Sequence, residues 1–354
     1  MPLLARMLAS PLHLDIRAGA VDNLAALLHE RAITSGGTVM VAVGTGHGQE
    51  IWERIKPTLP NATMFDVWEA NLASAGALQE ALGQQGYDAV VAIGGGKTID
   101  VAKYAATRAA LPMVAVATNL AHDGICSPVA SLEHQHGKGS YGVALPLAVV
   151  VDLDYVRNAP PEMVRGGIGD AISNLSAIED WLLAQRERGE AVDGLALAFA
   201  RTAAEAILHR TDTIEDDEFL IALAEALVLS GMAMSVAGTS RPCSGACHEI
   251  VHAIDQIYNV SNHGELAGLG ALFATFLRGD DVRFTQIAAA LARHGLATRP
   301  DQIGLTEEQF VTAVLAAPST RPDRYTILEH LALSEDEVRE RVAAFVSRLR
   351  PTGS

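Results

Sequence analysis

His248 and His252 stand four residues apart in a helix-length segment, so a helix would carry both on one face. His263, within Asn262-His263-Gly264-Glu265, opens the next such segment, and Asp170 opens the first helix of the second half. One carboxylate and two imidazoles leave coordination positions open, which a Lewis-acid catalytic metal requires. On spacing alone, however, an HxxxH pair more often marks surface or capping histidines, and a chain with 12 histidines will contain chance pairs. Cys243 and Cys247 lie beside His248, but a structural thiolate site takes four ligands in two short-spaced pairs, and the chain has only 3 cysteines. Those two read as small buried residues, and so does Cys126.

A second chemistry lies upstream. Asp88–Ala106 is a buried strand running into Gly94-Gly95-Gly96 and then a helix beginning Lys97-Thr98. Glycines at such a turn let a phosphate approach backbone N–H groups at the positive end of a helix. The spacing is not a Walker A loop, because Val91 stands where its first glycine belongs. Gly44-Thr45-Gly46-His47-Gly48 approximates a dinucleotide fingerprint, with Gln49 in place of the last glycine. No acidic residue follows that strand to select NAD by its ribose hydroxyls; Gly44 and Thr45 stand there, so either NAD or NADP is admitted. Thr118–Pro128, TNLAHDGICSP, is a polar loop after a buried strand, at the sheet edge where open α/β folds bind ligands; by itself it also reads as an ordinary turn.

Two kinds of architecture must hold these residues. Up to about residue 160, β-branched runs at Thr38–Val43, Asp88–Ile93, Met113–Ala117 and Ala148–Val151 alternate with helical stretches such as Ala75–Gln85 and Ile99–Ala110. That alternation predicts an α/β, Rossmann-like domain with a parallel sheet. Beyond Pro160–Pro161, helical segments follow one another at 169–186, 193–210, 216–237, 243–258, 264–278, 281–295, 306–316 and 334–349. Capping boxes open two of them, Thr306 to Gln309 and Ser334 to Glu337. The expected division is therefore a nucleotide-binding domain over 1–160 and an all-α metal- and substrate-binding domain over 161–354.

Composition narrows the partners. With 26 basic against 42 acidic residues the net charge is −16, which disfavours nucleic acid and anionic membranes. Only four lysines occur, Lys56, Lys97, Lys103 and Lys138, so an anionic substrate must find few and local cations. No apolar run of membrane-spanning length is read, and the N-terminus, with Arg6 and no sustained apolar core, does not look like a secretory signal. Together with the few cysteines this predicts a cytoplasmic protein.

In order, GGGKTIDVAK, TNLAHDGICSP, GIGDAISN, SGMAMSVAGTSRPCSGACHEIVHAID and HGE resemble the sn-glycerol-1-phosphate dehydrogenase family, within the iron-containing alcohol dehydrogenase and dehydroquinate synthase-like superfamily. The resemblance spans about 35–280, and the SRPxSG…HxxxHAxD run is its specific part. It implies an N-terminal domain binding NAD or NADP, a helical domain holding a divalent metal, a cleft between them, and a homo-oligomer. By matching positions, it implies cofactor contacts at Gly94, Gly95, Gly96, Lys97, Thr98, Thr118, Asn119, Ala121 and Ser127. It also implies metal ligation by Asp170, His248 and His263, substrate contact and catalysis at Asp123 and His252, and substrate near Asp170.

Two departures stand out. Ala121 replaces a common serine, and Asn174 replaces a third histidine of the iron-dependent enzymes, which favours zinc. The implied reaction interconverts dihydroxyacetone phosphate and sn-glycerol 1-phosphate by hydride transfer at a metal-polarised C2 carbonyl. Arg241, just before the metal-binding helix, is the expected phosphate contact, though a helix-capping surface role fits its position equally. The competing expectations are a glycerol or other polyol dehydrogenase and an enzyme of a phosphorylated specialised-pathway intermediate. Ranked lower are a dehydroquinate-synthase-like cyclase, disfavoured by Asp170 and the few lysines, and a non-catalytic ligand-binding homologue.

Overall fold

The computed structural model describes residues 9–34, 38–135, 137–260 and 262–350. The expectation about a secretory signal rests on residues 1–8, outside that range. By their internal contacts the residues form two compact units, Met1–Val164 and Arg165–Ser354.

The first unit is built on a six-stranded parallel sheet of β1 (His13–Arg17), β2 (Val39–Gly44), β3 (Thr63–Val67), β4 (Ala89–Gly94), β5 (Met113–Ala117) and β8 (Ala148–Asp152). Their spatial order is β1-β8-β5-β4-β2-β3. Every residue of β2, β4, β5 and β8 is buried, as expected of parallel strands covered on both faces. On one face Val41, Val43, Val91, Ile93, Val114, Val116 and Val150 pack with Leu24, Leu28, Ile51 and Trp52 from the covering helices. Burying each such side chain stabilises by roughly 1.5–3 kcal/mol, which fixes the register of the central strands. The helices are α1 (Leu24–Glu30), α2 (His47–Ile55), α3 (Leu72–Leu82), α4 (Gly96–Arg108) and α5 (Leu153–Val156). A hairpin of β6 (Val129–His134) and β7 (Gly137–Gly142) forms a separate antiparallel pair.

Four strands were not foreseen: the edges β1 and β3 and the hairpin. β3 is mostly exposed and its sequence, TMFDV, has no apolar alternation to betray it. β1 pairs only with β8 and is held by that register instead.

The second unit is helical: α6 (Pro161–Arg188), α7 (Gly194–Leu208), α8 (Asp217–Ala237), α9 (Ala246–Tyr258), α10 (His263–Arg278), α11 (Asp281–Arg293), α12 (Glu307–Thr320), α13 (Ile327–Leu331) and α14 (Glu335–Leu349). α6 begins at Pro161, where a proline costs no hydrogen bond, and so starts eight residues before the expected helix. α12 runs on through Pro318 to Thr320, past the expected end at 316. The short α13 was missed, although Thr326 and Glu329 form a capping box like the two foreseen at Thr306 and Ser334. α8 is long and apolar enough by composition to cross a bilayer. Most of it, 61% of the most apolar stretch, is buried inside the protein, which is how a core helix meets the same test.

Candidate functional site

Each unit carries part of the chemistry. In the first, β2 and β4 are neighbours whose carboxyl ends both run into glycine turns, and the order of connections reverses between them. That reversal is where an open parallel sheet leaves a crevice for a nucleotide. Gly94 ends β4, Gly95 precedes α4, and no side chain caps that helix, so its first N–H groups are left for a ligand. A Cβ at Gly96 would stand 2.7 Å from His122 Cε1, so a side chain there would push the His122 ring aside. Thr98 is buried, whereas Lys97 is exposed.

The 118–128 loop lies alongside. Thr118 N donates to the Gly94 carbonyl at 3.1 Å, and Asn119 Oδ1 accepts from Ala121 N at 3.3 Å. His122 Nδ1 accepts from Gly124 N at 3.0 Å, starting the single turn Asp123–Ile125. Ser127 is buried, and its hydroxyl donates to the Val129 carbonyl at 3.0 Å while standing 3.2 Å from Lys103 Nζ. That hydroxyl is thus engaged in holding the loop. Lys103, fully buried, is the hub: its ammonium lies 2.9 Å from Asp100, 2.9 Å from the Gly124 carbonyl and 2.6 Å from the Val129 carbonyl. Cys126 is buried here as well, and burial pushes its thiol up to about 12.

In the second unit Asp170 from α6, His248 from α9 and His263 from the start of α10 meet. One donor atom of each lies within 4.8 Å of the others. His248 Nε2 is 3.4 Å and His263 Nε2 3.9 Å from Asp170 Oδ1, and the two rings are 5.0 Å apart. The approach depends on glycine: a Cβ on Gly264 would stand 2.8 Å from Gly166 Cα, so α6 and α10 touch backbone to backbone. Asp180, nearly three turns along α6 from Asp170, sets α9. Its carboxylate accepts from Ala246 N and from Ile327 N, both at 2.8 Å, capping α9 and α13 at once, and it pairs with Arg278.

Burial opposes a charge on His248, but the neighbouring Cys247 and the hydrogen bond to Asp170 outweigh it and raise its pKa to about 10. Cys247 Sγ lies 3.3 Å from His248 Nδ1, leaving Nε2 turned to Asp170. Asn174 donates to Ser230 Oγ at 2.8 Å and is not among the three converging donors.

A family model described as iron-containing alcohol dehydrogenase matches residues 15–160. The chain is 34% identical over 343 residues to glycerol-1-phosphate dehydrogenase (NAD(P)+) of Hyperthermus butylicus, covering 94% of this chain and 96% of that one. It belongs to the glycerol-1-phosphate dehydrogenase family. The family's member from Thermofilum pendens is 42% identical over 252 residues, 70% of this chain and 72% of its own. Among solved structures, a probable glycerol dehydrogenase from Sinorhizobium meliloti 1021 matches 99% of this chain and 100% of its own, with TM-score 0.78 and 23% identity. A sulfoacetaldehyde reductase from Bifidobacterium kashiwanohense in complex with NAD+ covers 97% and 99%, with TM-score 0.73 and 18% identity. At those identities the two structures speak for the fold.

Arg241, expected from its position to contact a phosphate or to cap a helix, is engaged with the protein. Its guanidinium is bound bidentately to Glu190, at 2.9 and 3.1 Å, and donates to the Tyr325 carbonyl at 3.0 Å. The side chain is 5% exposed, so this arginine braces the lead-in to α9. His252, one turn beyond His248, lies with its ring 6.4 Å from that of His263 and its Nε2 3.2 Å from an Arg321 nitrogen. Lys103, His122, Asp180 and Arg321 all bear on the sites and were not singled out from sequence, while Cys247 was read there only as a small buried residue. The Lys103 spacing within GGGKTIDVAK was visible; that its ammonium is buried among loop carbonyls was not.

Proposed function

We propose that this chain interconverts dihydroxyacetone phosphate and sn-glycerol 1-phosphate as an NAD(P)-dependent, metal-dependent oxidoreductase. The carrying observation is the convergence of Asp170, His248 and His263 in a chain with full-length similarity to glycerol-1-phosphate dehydrogenase. The donor set fits a divalent cation: a buried carboxylate and two imidazole nitrogens, none of them a thiolate, with coordination positions to spare, which suits catalytic zinc. When bound, the cation supplies Lewis acidity at the substrate C2 oxygen and the nicotinamide supplies the hydride.

The chain's own residues do the rest. Asp170, His248 and His263 hold the cation, and the Cys247 sulfur fixes the His248 ring through Nδ1. His252 holds the substrate hydroxyl and passes its proton. The uncapped start of α4, with Gly94, Gly95, Gly96, Lys97 and Thr98, takes the cofactor diphosphate. Thr118, Asn119 and Ala121 border the cofactor, Ser127 keeps their loop in place, and Asp123 contacts substrate. With Gly44 and Thr45 at the end of β2, NADH and NADPH are both accepted. The enzyme is read as a cytoplasmic homo-oligomer acting on a small phosphorylated polyol.

The test is NAD(P)H oxidation by zinc-loaded protein with dihydroxyacetone phosphate, dihydroxyacetone and the two glycerol phosphates, alongside His248→Ala. Expected are turnover of dihydroxyacetone phosphate, far weaker turnover of dihydroxyacetone, and loss of both stoichiometric zinc and activity in the variant. Equal kcat/KM for the phosphorylated and free ketone would make it a polyol dehydrogenase, and full zinc in His248→Ala would remove the ligand assignment.

A further inference from the structure

Inside the helical unit, three guanidinium groups meet at a place the proposed reaction does not use. A cavity of about 60 Å³ lies where α6, α7, α10 and α11 come together, and Glu179, Arg201, Arg278, Asp280 and Arg283 are among the residues that line it. One ordered water needs only about 10–15 Å³ of such space, so the cavity admits a larger group. None of these side chains belongs to the three converging metal donors.

The guanidiniums are loosely partnered. Arg201 approaches Glu179 no closer than 3.8 Å, and Arg283 approaches Glu205 no closer than 3.8 Å. Both separations are too long for hydrogen bonds, so the two forks keep their donors for another acceptor. Arg278 is held along one edge only. Its Nη1 donates to Ser176 Oγ at 3.0 Å, and its Nη2 donates to the Ser176 carbonyl at 3.3 Å and to Asp180. Its Nε is buried and has no acceptor among the described residues. A buried donor in that state is destabilising, and an oxyanion would satisfy it. Of the two lining carboxylates, Asp280 is engaged in capping α11, where its Oδ1 accepts from Arg283 N at 2.9 Å. Three guanidiniums against two carboxylates favour an anion. A tetrahedral oxyanion offers acceptors to several planar forks at once.

We propose that this cavity binds a small tetrahedral oxyanion, phosphate or sulfate, through Arg201, Arg278 Nε and Arg283. The anion acts on the helix of His248 at one remove. It holds Arg278, Arg278 holds Asp180, and Asp180 caps α9 through Ala246 N and α13 through Ile327 N. Occupancy therefore stabilises the lead-in to the metal donors.

The experiment titrates zinc-loaded full-length protein with sodium phosphate and, separately, with sodium sulfate, so that the two arms tell one ligand from the other. Chloride holds the ionic strength constant, and calorimetric titration and melting temperature are read. Wild type is compared with Arg201→Gln, Arg283→Gln and the double variant. Both positions are half-buried and their side chains make no hydrogen bonds among the described residues, while Arg278 is left in place because it braces Asp180. Expected is a saturable rise in melting temperature for wild type, with the Kd weakened about tenfold in each single variant and further in the double. Crystals soaked in selenate should show an anomalous peak beside the three guanidiniums. Unchanged affinity in the double variant would place the anion elsewhere and overturn the proposal. So would a wild type with no saturable effect beyond chloride, or a selenate peak found only outside the cavity.

Discussion

Replacing Lys103 by Met tests whether the buried ammonium organises the 118–128 loop. The side chain is fully buried, with Asp100 only 8% exposed beside it. The substitution keeps the volume but removes the ammonium facing Asp100 Oδ1, and the carbonyls of Gly124, Ser127 and Val129 lose their common donor. Asp100 then retains the bond that its Oδ2 accepts from Ser131 N at 3.0 Å. Breaking one side of a buried pair costs about 3–5 kcal/mol, because the remaining charge stays desolvated. At about 2–4 °C per kcal/mol for a unit of this size, the melting temperature should fall by roughly 6–20 °C. Calorimetry of the full chain reads that shift, and NADH fluorescence reads the expected weakening of cofactor binding. The partner substitution Asp100→Leu should recover part of the loss when combined with Lys103→Met, since two apolar side chains leave no orphaned charge. A shift under about 2 °C for the single variant, or strict additivity in the double, would refute this reasoning.

Gly96→Ala should weaken NADH binding about tenfold or more, because the new methyl displaces the His122 ring from the start of α4; unchanged affinity in a fluorescence titration would contradict it. Cys126, held up to about 12 by burial, should resist iodoacetamide at pH 8 in the native protein and react once denatured, as mass spectrometry would show. His294 is held below its ordinary pKa by burial and by Arg293, so the unfolded chain takes up its proton first. Its contribution to stability is therefore present above about pH 6.5 and is lost as the pH falls from there through the lower folded value. His294→Phe should lose less melting temperature than wild type between pH 7.5 and 5.5, and an identical loss in both would exclude that linkage.

What could be learned from the chain alone follows from which signals are local. β2, β4, β5 and β8 are apolar runs with both faces buried, so their composition declares them. The helices of the second unit declare themselves by period and caps, and the order of the glycine turn, Asp170, His248 and His263 carries the family. β3, exposed on an edge, has no such signature, and its place comes from pairing with β2. Whether His248 was a ligand candidate or a surface histidine could not be decided from a spacing of four. That was decided when glycines let α6 and α10 touch and Asp180 capped α9 across the helical unit. Arg241 and Arg321 make the same point: both are arginines near the same helix, separated by 80 positions in sequence. Only tertiary packing spends one on Glu190 and sets the other against His252, because guanidinium partners are chosen by proximity in space and not along the chain.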